Sequence, residues 1–298
     1  MTKKLRADIL LLIVTVVWGS SFPLMKMVLE YLPAYAYLSL RFMLATVLLL
    51  IIFHKRLRFI TRRTVIYGSI IGLFMFGGMA FQVNGLFTTT ASNSGFITGL
   101  NVVIVPFISA IMLKKKPDRA SVFGVVIAFA GLFFLSGGIN LSFNTGDFLT
   151  FLCSICWAFQ IIFNDRFNTD EEAPLLAIMQ IGFTGIVSTG VWLTLDFKPM
   201  VFNSTVIMIL LVTGILGTVL GFGGQVIAQK NTTPTHTALI FTAEPVFAAM
   251  FAMLIPNAEG KTETLGIISA IGCLLILAGM LVSEFKFGRR KRDLVVES

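Results

Sequence analysis

The feature that most restricts this chain is a succession of long apolar runs. ADILLLIVTVVWGSSFPLM (7–25), AYLSLRFMLATVLLLIIF (36–53) and SVFGVVIAFAGLFFLSGG (121–138) are three of them. Runs of about 18 or more apolar residues match the thickness of a bilayer. The chain is 56% hydrophobic and 13% charged, against about 25% charged in an ordinary soluble domain. Ten candidate spans fall at about 7–27, 34–53, 65–87, 90–113, 119–137, 145–164, 174–195, 204–229, 234–255 and 264–285. Unpaired backbone amides are not tolerated in hydrocarbon, so a spanning chain forms helices or a closed barrel. Barrel strands alternate apolar and polar over about ten residues. These runs are longer and do not alternate, so the expected class is an all-α integral membrane protein.

Basic residues in short loops give the orientation. Lys3, Lys4 and Arg6 precede the first span, and Lys55, Arg56, Arg58, Arg62 and Arg63 lie between the second and third. Lys114, Lys115, Lys116 and Arg119 follow the fourth, and Lys286, Arg289, Arg290, Lys291 and Arg292 end the chain; Arg166 and Lys230 fall on the same side. The opposite loops hold Lys198 and Lys261. Both termini are therefore expected in the cytoplasm, and an even number of spans follows. The second half carries a weaker signal because its loop DRFNTDEEA is acidic. The net charge of +8 comes from this asymmetry. The tail GRRKRD reads as an anchor to anionic lipid heads, not as a nucleic-acid patch. The basic-then-apolar start looks like a secretory signal, but its apolar run passes any small-residue cleavage site and reads as a retained first span.

The two halves repeat. Asp8, Trp18, Arg41 and Pro106 fall opposite Asp147, Trp157, Gln180 and Pro245 at an offset of 139. Gln82, Thr90, Ser92, Ser94, Gly95 and Ile97 fall opposite Gln225, Thr233, Thr235, Thr237, Ala238 and Ile240 at 143. Five spans per copy make the second copy enter the membrane from the other face, the inverted arrangement many secondary transporters build around a midplane site. The expected division is a first five-helix unit over 1–139 and a second, inverted unit over 140–298.

Polar residues within spans normally face a bundle interior or a hydrated cavity. Ser94, Thr98 and Asn101 share one stripe; so do Gly78, Gln82 and Gly85; Cys153, Trp157, Gln160 and Asn164; and Thr218, Gly221, Gln225 and Ala228. Thr15, Gly19, Ser20 and Ser21 surround Trp18. Small residues and threonines read as helix–helix packing. Amides keep more hydrogen-bonding groups to satisfy, so Gln82, Asn101, Gln160 and Gln225 read as cavity lining. Arg41 either pairs with a carboxylate or helix-end carbonyls, or faces the cavity. Lys26 snorkels from the end of the first span. Glu244, before Pro245, is a proton-coupling group, a contact for an amino group, or a paired structural residue. Cys153 and Cys156 form a CxxC inside an apolar helix, without the context of a redox motif. His54 and His236 are isolated histidines in or near loops, so no metal is expected. No phosphate-binding loop occurs, LGFGGQ reads as tight packing, and no cofactor is expected. The phenylalanines read mostly as lipid-facing bulk.

These residues resemble the EamA-type members of the drug/metabolite transporter superfamily over essentially the whole length. The likeness is carried by WGSSFPLMK, by Arg41 in YLSLRFML, by FQVNGLFTTTASNSGFITGLNVVIVPFISAIML, by the Gly-rich fifth span and by THTALIFTAEPVFAAM. The resemblance implies ten helices in an inner-membrane carrier, with helices 1, 3, 4, 6, 8 and 9 around a central cavity and homodimer contacts through 5 and 10. It also implies export of amino acids, other metabolites or toxic compounds. Members often carry a Glu after both the fourth and ninth spans; here Glu259 matches the later one and LKKKPDR has none.

The function expected is a secondary or facilitative transporter of the cell membrane, moving amino acids or similar small metabolites by alternating access. Trp18, Ser21, Gln82, Asn101, Trp157, Gln160 and Gln225 would line its site, Trp18 and Trp157 as walls, with Arg41 and Glu244 in charge or coupling roles and prolines 23, 106 and 245 allowing bending. A membrane enzyme on lipid-linked substrates would need clustered acid, base or nucleophile, and no span supplies paired carboxylates or a His–Ser combination. A channel is the other rival. Cysteines introduced near positions 140 and 285 are expected to label from opposite faces of the membrane; labelling from one face would make the two units parallel.

Overall fold

The computed structural model describes residues 2–89, 91–114, 116–135, 144–254 and 265–284. Thr90, Lys115, Glu259, Lys261, the end of the fifth expected span and the tail cations Lys286 to Arg292 lie outside the described residues, whose regular structure is all helical. The elements are α1 (Lys3–Val28), α2 (Ala34–Ile52), a 3-10 turn (His54–Phe59), α3 (Arg62–Gly85), α4 (Ala91–Gly99), α5 (Asn101–Met112) and α6 (Arg119–Leu135). Then come α7 (Thr145–Phe167), α8 (Ala173–Leu195), α9 (Ser204–Leu211), a π-helical segment (Val212–Leu220), α10 (Gly221–Gln229), α11 (Pro234–Phe241), α12 (Glu244–Leu254) and α13 (Ile267–Glu284).

Local chemistry sets the ends. Thr61 and Thr64 cap α3 reciprocally, and Asn144 and Asp147 do the same for α7. Each reciprocal cap satisfies two orphan amides at the helix start. Asn203 and Thr233 cap α9 and α11 through their side chains.

Seven apolar helical stretches are long enough to cross a membrane: Lys3–Val28, Ala34–Ile52, Arg62–Gly85, Ser94–Met112, Thr145–Phe167, Ala173–Leu195 and Ser204–Gln229. Arg119–Leu135 and Ile267–Ser283 are shorter apolar helices. Exposed Phe107, Ile111, Leu195 and Leu274 belong to the outer surface, as expected of a multi-pass membrane protein.

Two expected spans are broken rods. The fourth is interrupted at Leu100, where the amides of Leu100 and Val103 bond three residues back. The ninth is interrupted at Thr242–Ala243, where Ala243 N–H donates to Ile240 O at 3.1 Å. Each break lies a few residues before a proline, Pro106 or Pro245, which has no N–H to donate to the carbonyl four residues earlier. The eighth is continuous but passes through the wider π turn over Val212–Leu220.

Glycines set the helix pairs. An added Cβ at Gly124 would lie 2.6 Å from Gly279 O, and one at Gly131 would lie 2.7 Å from Gly272 O, so α6 and α13 run antiparallel. α2 and α8 are also antiparallel: Thr46 faces Gly182, Met43 faces Gly185, and Ser39 shares a 2.7 Å hydrogen bond with Thr189. α1 lies on α10 through Gly224 beside Leu10 and Val14. α3 lies on α7 through Gly85 beside Thr150 and Gly146.

The acidic loop that blurs the orientation signal has a local explanation. Glu172 pairs with Arg56 at 2.6 Å, Thr64 Oγ1 donates to Glu171 at 2.6 Å, and Lys230 Nζ donates to the Glu171 carbonyl at 3.1 Å. Glu172 thereby answers the basic turn after α2. His236 is not an isolated loop residue: it is buried in the first turn of α11, with Nδ1 3.4 Å from Asp8 and 3.0 Å from Thr232 Oγ1. Asp147, the counterpart of Asp8, accepts from Thr89 Oγ1, the counterpart of Thr232 at offset 143.

Gly131→Leu drives a side chain into backbone of α13, and overpacking of this kind costs about 1–3 kcal/mol. The variant is expected to melt earlier in detergent than wild type. Gly190→Ala, where a Cβ meets nothing within 4 Å, is expected to hold or raise the melting temperature.

Candidate functional site

The described helices surround a central cavity of about 590 Å3 of atom-free space, part of it open to solvent. α1 contributes Trp18, Ser21, Phe22 and Met25; α2 contributes Arg41; α3 contributes Met79 and Gln82. Thr98 comes from α4, Asn101 from α5, and Trp157, Gln160 and Ile161 from α7. Phe222 and Gln225 of α10, Phe241 of α11 and Glu244 of α12 complete the wall. All nine residues singled out in the sequence thus stand around a single space.

The two indoles occupy equivalent places. Trp18 Nε1 donates to Gly217 O at 2.9 Å, and its ring lies so close over Gly221 that an added Cβ there would overlap it. Trp157 lies over Gly78, where an added Cβ would be 3.0 Å from the indole. Gly221 and Gly78 are counterparts at offset 143, as the indoles are at 139. Each half therefore lays its tryptophan on the other half's glycine. Between them stands Phe222, 4.8 Å from Trp18 and stacked on Trp157 at 5.6 Å. Phe241 closes on Trp18 at 4.9 Å.

The charges are held differently. Arg41 is 2% exposed. Its Nε donates to Thr218 Oγ1 at 2.8 Å, its Nη1 donates to Tyr37 Oη at 3.2 Å, and the guanidinium lies 5.5 Å from the centre of the Phe42 ring. Thr218 Oγ1 in turn donates to Thr213 O at 3.0 Å, five residues back inside the π turn. The irregular backbone thus supplies a hydroxyl aimed at Arg41, a role often found at π bulges in functional sites. No carboxylate among the described residues pairs with Arg41. Glu244 opens α12 directly after the break, at a helix N-terminus that favours negative charge. Its carboxylate also has no ion pair or hydrogen bond among the described residues.

The amides divide into two kinds. Gln160 and Gln225 bond each other in both directions, at 3.2 and 2.9 Å, and Gln160 also donates to Gln180 at 3.3 Å. Gln180 donates to Asn164 at 3.3 Å, so these amides form a ladder with one edge on the cavity that ends at Asn164, whose Nδ2 has no partner among the described residues. Asn101 Oδ1 is buried without a partner among the described residues, and the Gln82 side chain is buried there as well. Ser21 Oγ spends its proton on Val17 O at 2.9 Å.

The stripes serve both purposes: Gly78 and Gly85 seat other helices while Gln82 between them faces the cavity. Cys153 and Asn164 share the stripe of Trp157 and Gln160 but do not line the cavity. The apolar wall is what the sequence reading missed. Phe222 and Phe241 are interior rather than lipid-facing, and Met25, Met79 and Ile161 join them. Phe222 sits four residues after Thr218 and three before Gln225, a signal masked by the adjacent glycines.

The model of the EamA-like transporter family matches residues 5–137 and again residues 144–285. A relative from Archaeoglobus fulgidus, named an uncharacterized transporter, is 33% identical over 95% of this chain and 87% of its own length. A Salmonella typhimurium relative named "Probable amino-acid metabolite efflux pump" is 24% identical over 95% of this chain and 96% of its own. A crystal structure covering 94% of this chain and 97% of its own superposes with a TM-score of 0.75 at 18% identity, which speaks for the fold alone.

Gly221→Ala places a methyl in the Trp18 indole and breaks its bond to Gly217. A cost of about 1–3 kcal/mol is expected, read as a lower melting temperature with a shifted tryptophan emission. Gly223→Ala, two residues on and facing open space, is expected to leave the emission in place.

Proposed function

The chain belongs to the EamA-like transporter family, and from that premise we propose that it is a secondary or facilitative transporter of the cell membrane, exporting amino acids or similar small metabolites. The name of the Salmonella relative points to that substrate class. The protein comprises ten spans in two inverted five-helix units, 1–139 and 140–298, with both termini in the cytoplasm. Two observations support the inversion. The family model matches twice in succession, and the counterpart helices α6 and α13, like α2 and α8, pack antiparallel. Counterparts running in opposite senses are what a two-fold axis in the membrane plane produces.

The observation that carries the function is the cavity itself, walled by residues of both halves and lined by reciprocal indoles, free polar atoms, a guanidinium and a carboxyl group. Rocking of one half against the other would open it alternately to each side, with the breaks at Leu100 and Thr242–Ala243 as places for backbone to yield. A solute that binds both states equally leaves their balance unmoved, which suits a carrier working down or against a gradient. A membrane enzyme is disfavoured because, among the described residues, the cavity wall holds a single carboxyl group and no histidine.

Purified protein in liposomes is expected to give saturable uptake and counterflow of amino acids. Gln82→Leu removes a cavity amide and should weaken half-saturation about 2- to 10-fold, the worth of one neutral hydrogen bond. Unsaturable flux without counterflow would make the protein a channel, and no flux of any solute would sink the transport reading.

A further inference from the structure

The cavity carries one guanidinium and one carboxyl group that do not pair with each other or with any other described residue. Isolated charges in such surroundings are costly unless something compensates them. Arg41 is oriented rather than neutralised: Thr218 and Tyr37 hold Nε and Nη1, while Nη2 has no bond among the described residues and lies beside Ser21 Oγ, both within 3.4 Å of the point where a Gly217 Cβ would stand. Glu244 lines the same space from α12, the helix packed along α1 at Gly19. Asn101, whose buried Oδ1 has no donor among the described residues, lines it from α5. The remainder of the wall is apolar, with Trp18, Trp157, Phe222, Met25 and Met79.

We propose that this cavity binds a zwitterionic α-amino acid with a bulky apolar side chain, its carboxylate on Arg41 and its ammonium on Glu244 and Asn101. The assignment rests on the transport reading above. Each end of the ligand completes a group the protein leaves open: a guanidinium nitrogen for the carboxylate, a carboxylate and an amide oxygen for the ammonium. The aromatic and methionine wall takes the side chain. The charges also fix the direction of binding. Arg41 is matched in the other half by Gln180, which is consumed in the amide ladder. A ligand turned end for end would therefore find no cation for its carboxylate. The two-fold frame is thus polarised by an Arg-for-Gln difference at one end and, at the offset of 139, by Glu244 standing opposite Val105 at the other.

The test is competition against counterflow of L-phenylalanine in liposomes holding the full-length protein. Analogues lacking one charge, phenethylamine and 3-phenylpropanoate, are expected to compete about 10- to 100-fold more weakly, the worth of a charge-assisted hydrogen bond. In Arg41→Gln the penalty on phenethylamine should vanish while that on 3-phenylpropanoate remains; Glu244→Gln should do the reverse. Both variants are to be monodisperse on size exclusion, and if Arg41→Gln does not fold, the analogue series on wild type decides alone. Equal competition by all three compounds on wild type would overturn the assignment. So would saturable transport of other solutes with which phenylalanine and leucine do not compete, an outcome that leaves the carrier itself standing. Absence of any flux would instead remove the transport reading beneath it.

Discussion

Hydrocarbon offers no hydrogen bonds, and that constraint governs the architecture. Backbone amides are closed within helices, and polar side chains must either find partners inside the bundle or border a hydrated space. The molecule uses both solutions side by side. Gln160, Gln180 and Gln225 bond one another in a ladder that ends on Asn164 Oδ1. Arg41, Glu244 and Asn101 keep unfilled capacity and stand on the cavity wall. The contrast separates polar groups bonded within the bundle from groups whose capacity is left open at the cavity wall.

Glycine makes the bundle close enough for that wall to exist. At the α6–α13 and α2–α8 crossings it lets backbone approach backbone, where dispersion contacts replace the hydrophobic force that lipid cannot supply. At Gly78 and Gly221 it does something else, admitting an indole from the opposite half. The same residue type therefore fastens helices at the periphery and shapes the site at the centre. The π turn of the eighth span adds a local irregularity with a purpose, presenting Thr218 to Arg41 while the Gly217 carbonyl receives Trp18.

Much of this was legible in advance because membrane helices are long and their polar residues few. The seven membrane-length helices follow from apolar run length, and nine scattered residues, among them Arg41 and Glu244, could be grouped from helical spacing and from the repeat. Other features were not legible. Phe222 and Phe241 look like lipid-facing bulk because a phenylalanine carries no mark of which way it faces. The breaks at Leu100 and Thr242–Ala243 lie before the prolines that invite them, at positions set by packing. His236 looks isolated because its partner Asp8 is 228 positions away in the chain.

The sequence by itself determined that this chain crosses a membrane as helices, that it is written as two related halves, and which polar residues would be costly anywhere but its interior. Those are consequences of composition and periodicity, which act locally. Only the tertiary structure decided which amides are spent on each other and which remain open, that each tryptophan rests on the opposite half's glycine, and that Arg41 and Glu244 share a space without pairing. Those outcomes depend on distances between helices remote in the chain, and no local pattern encodes a distance.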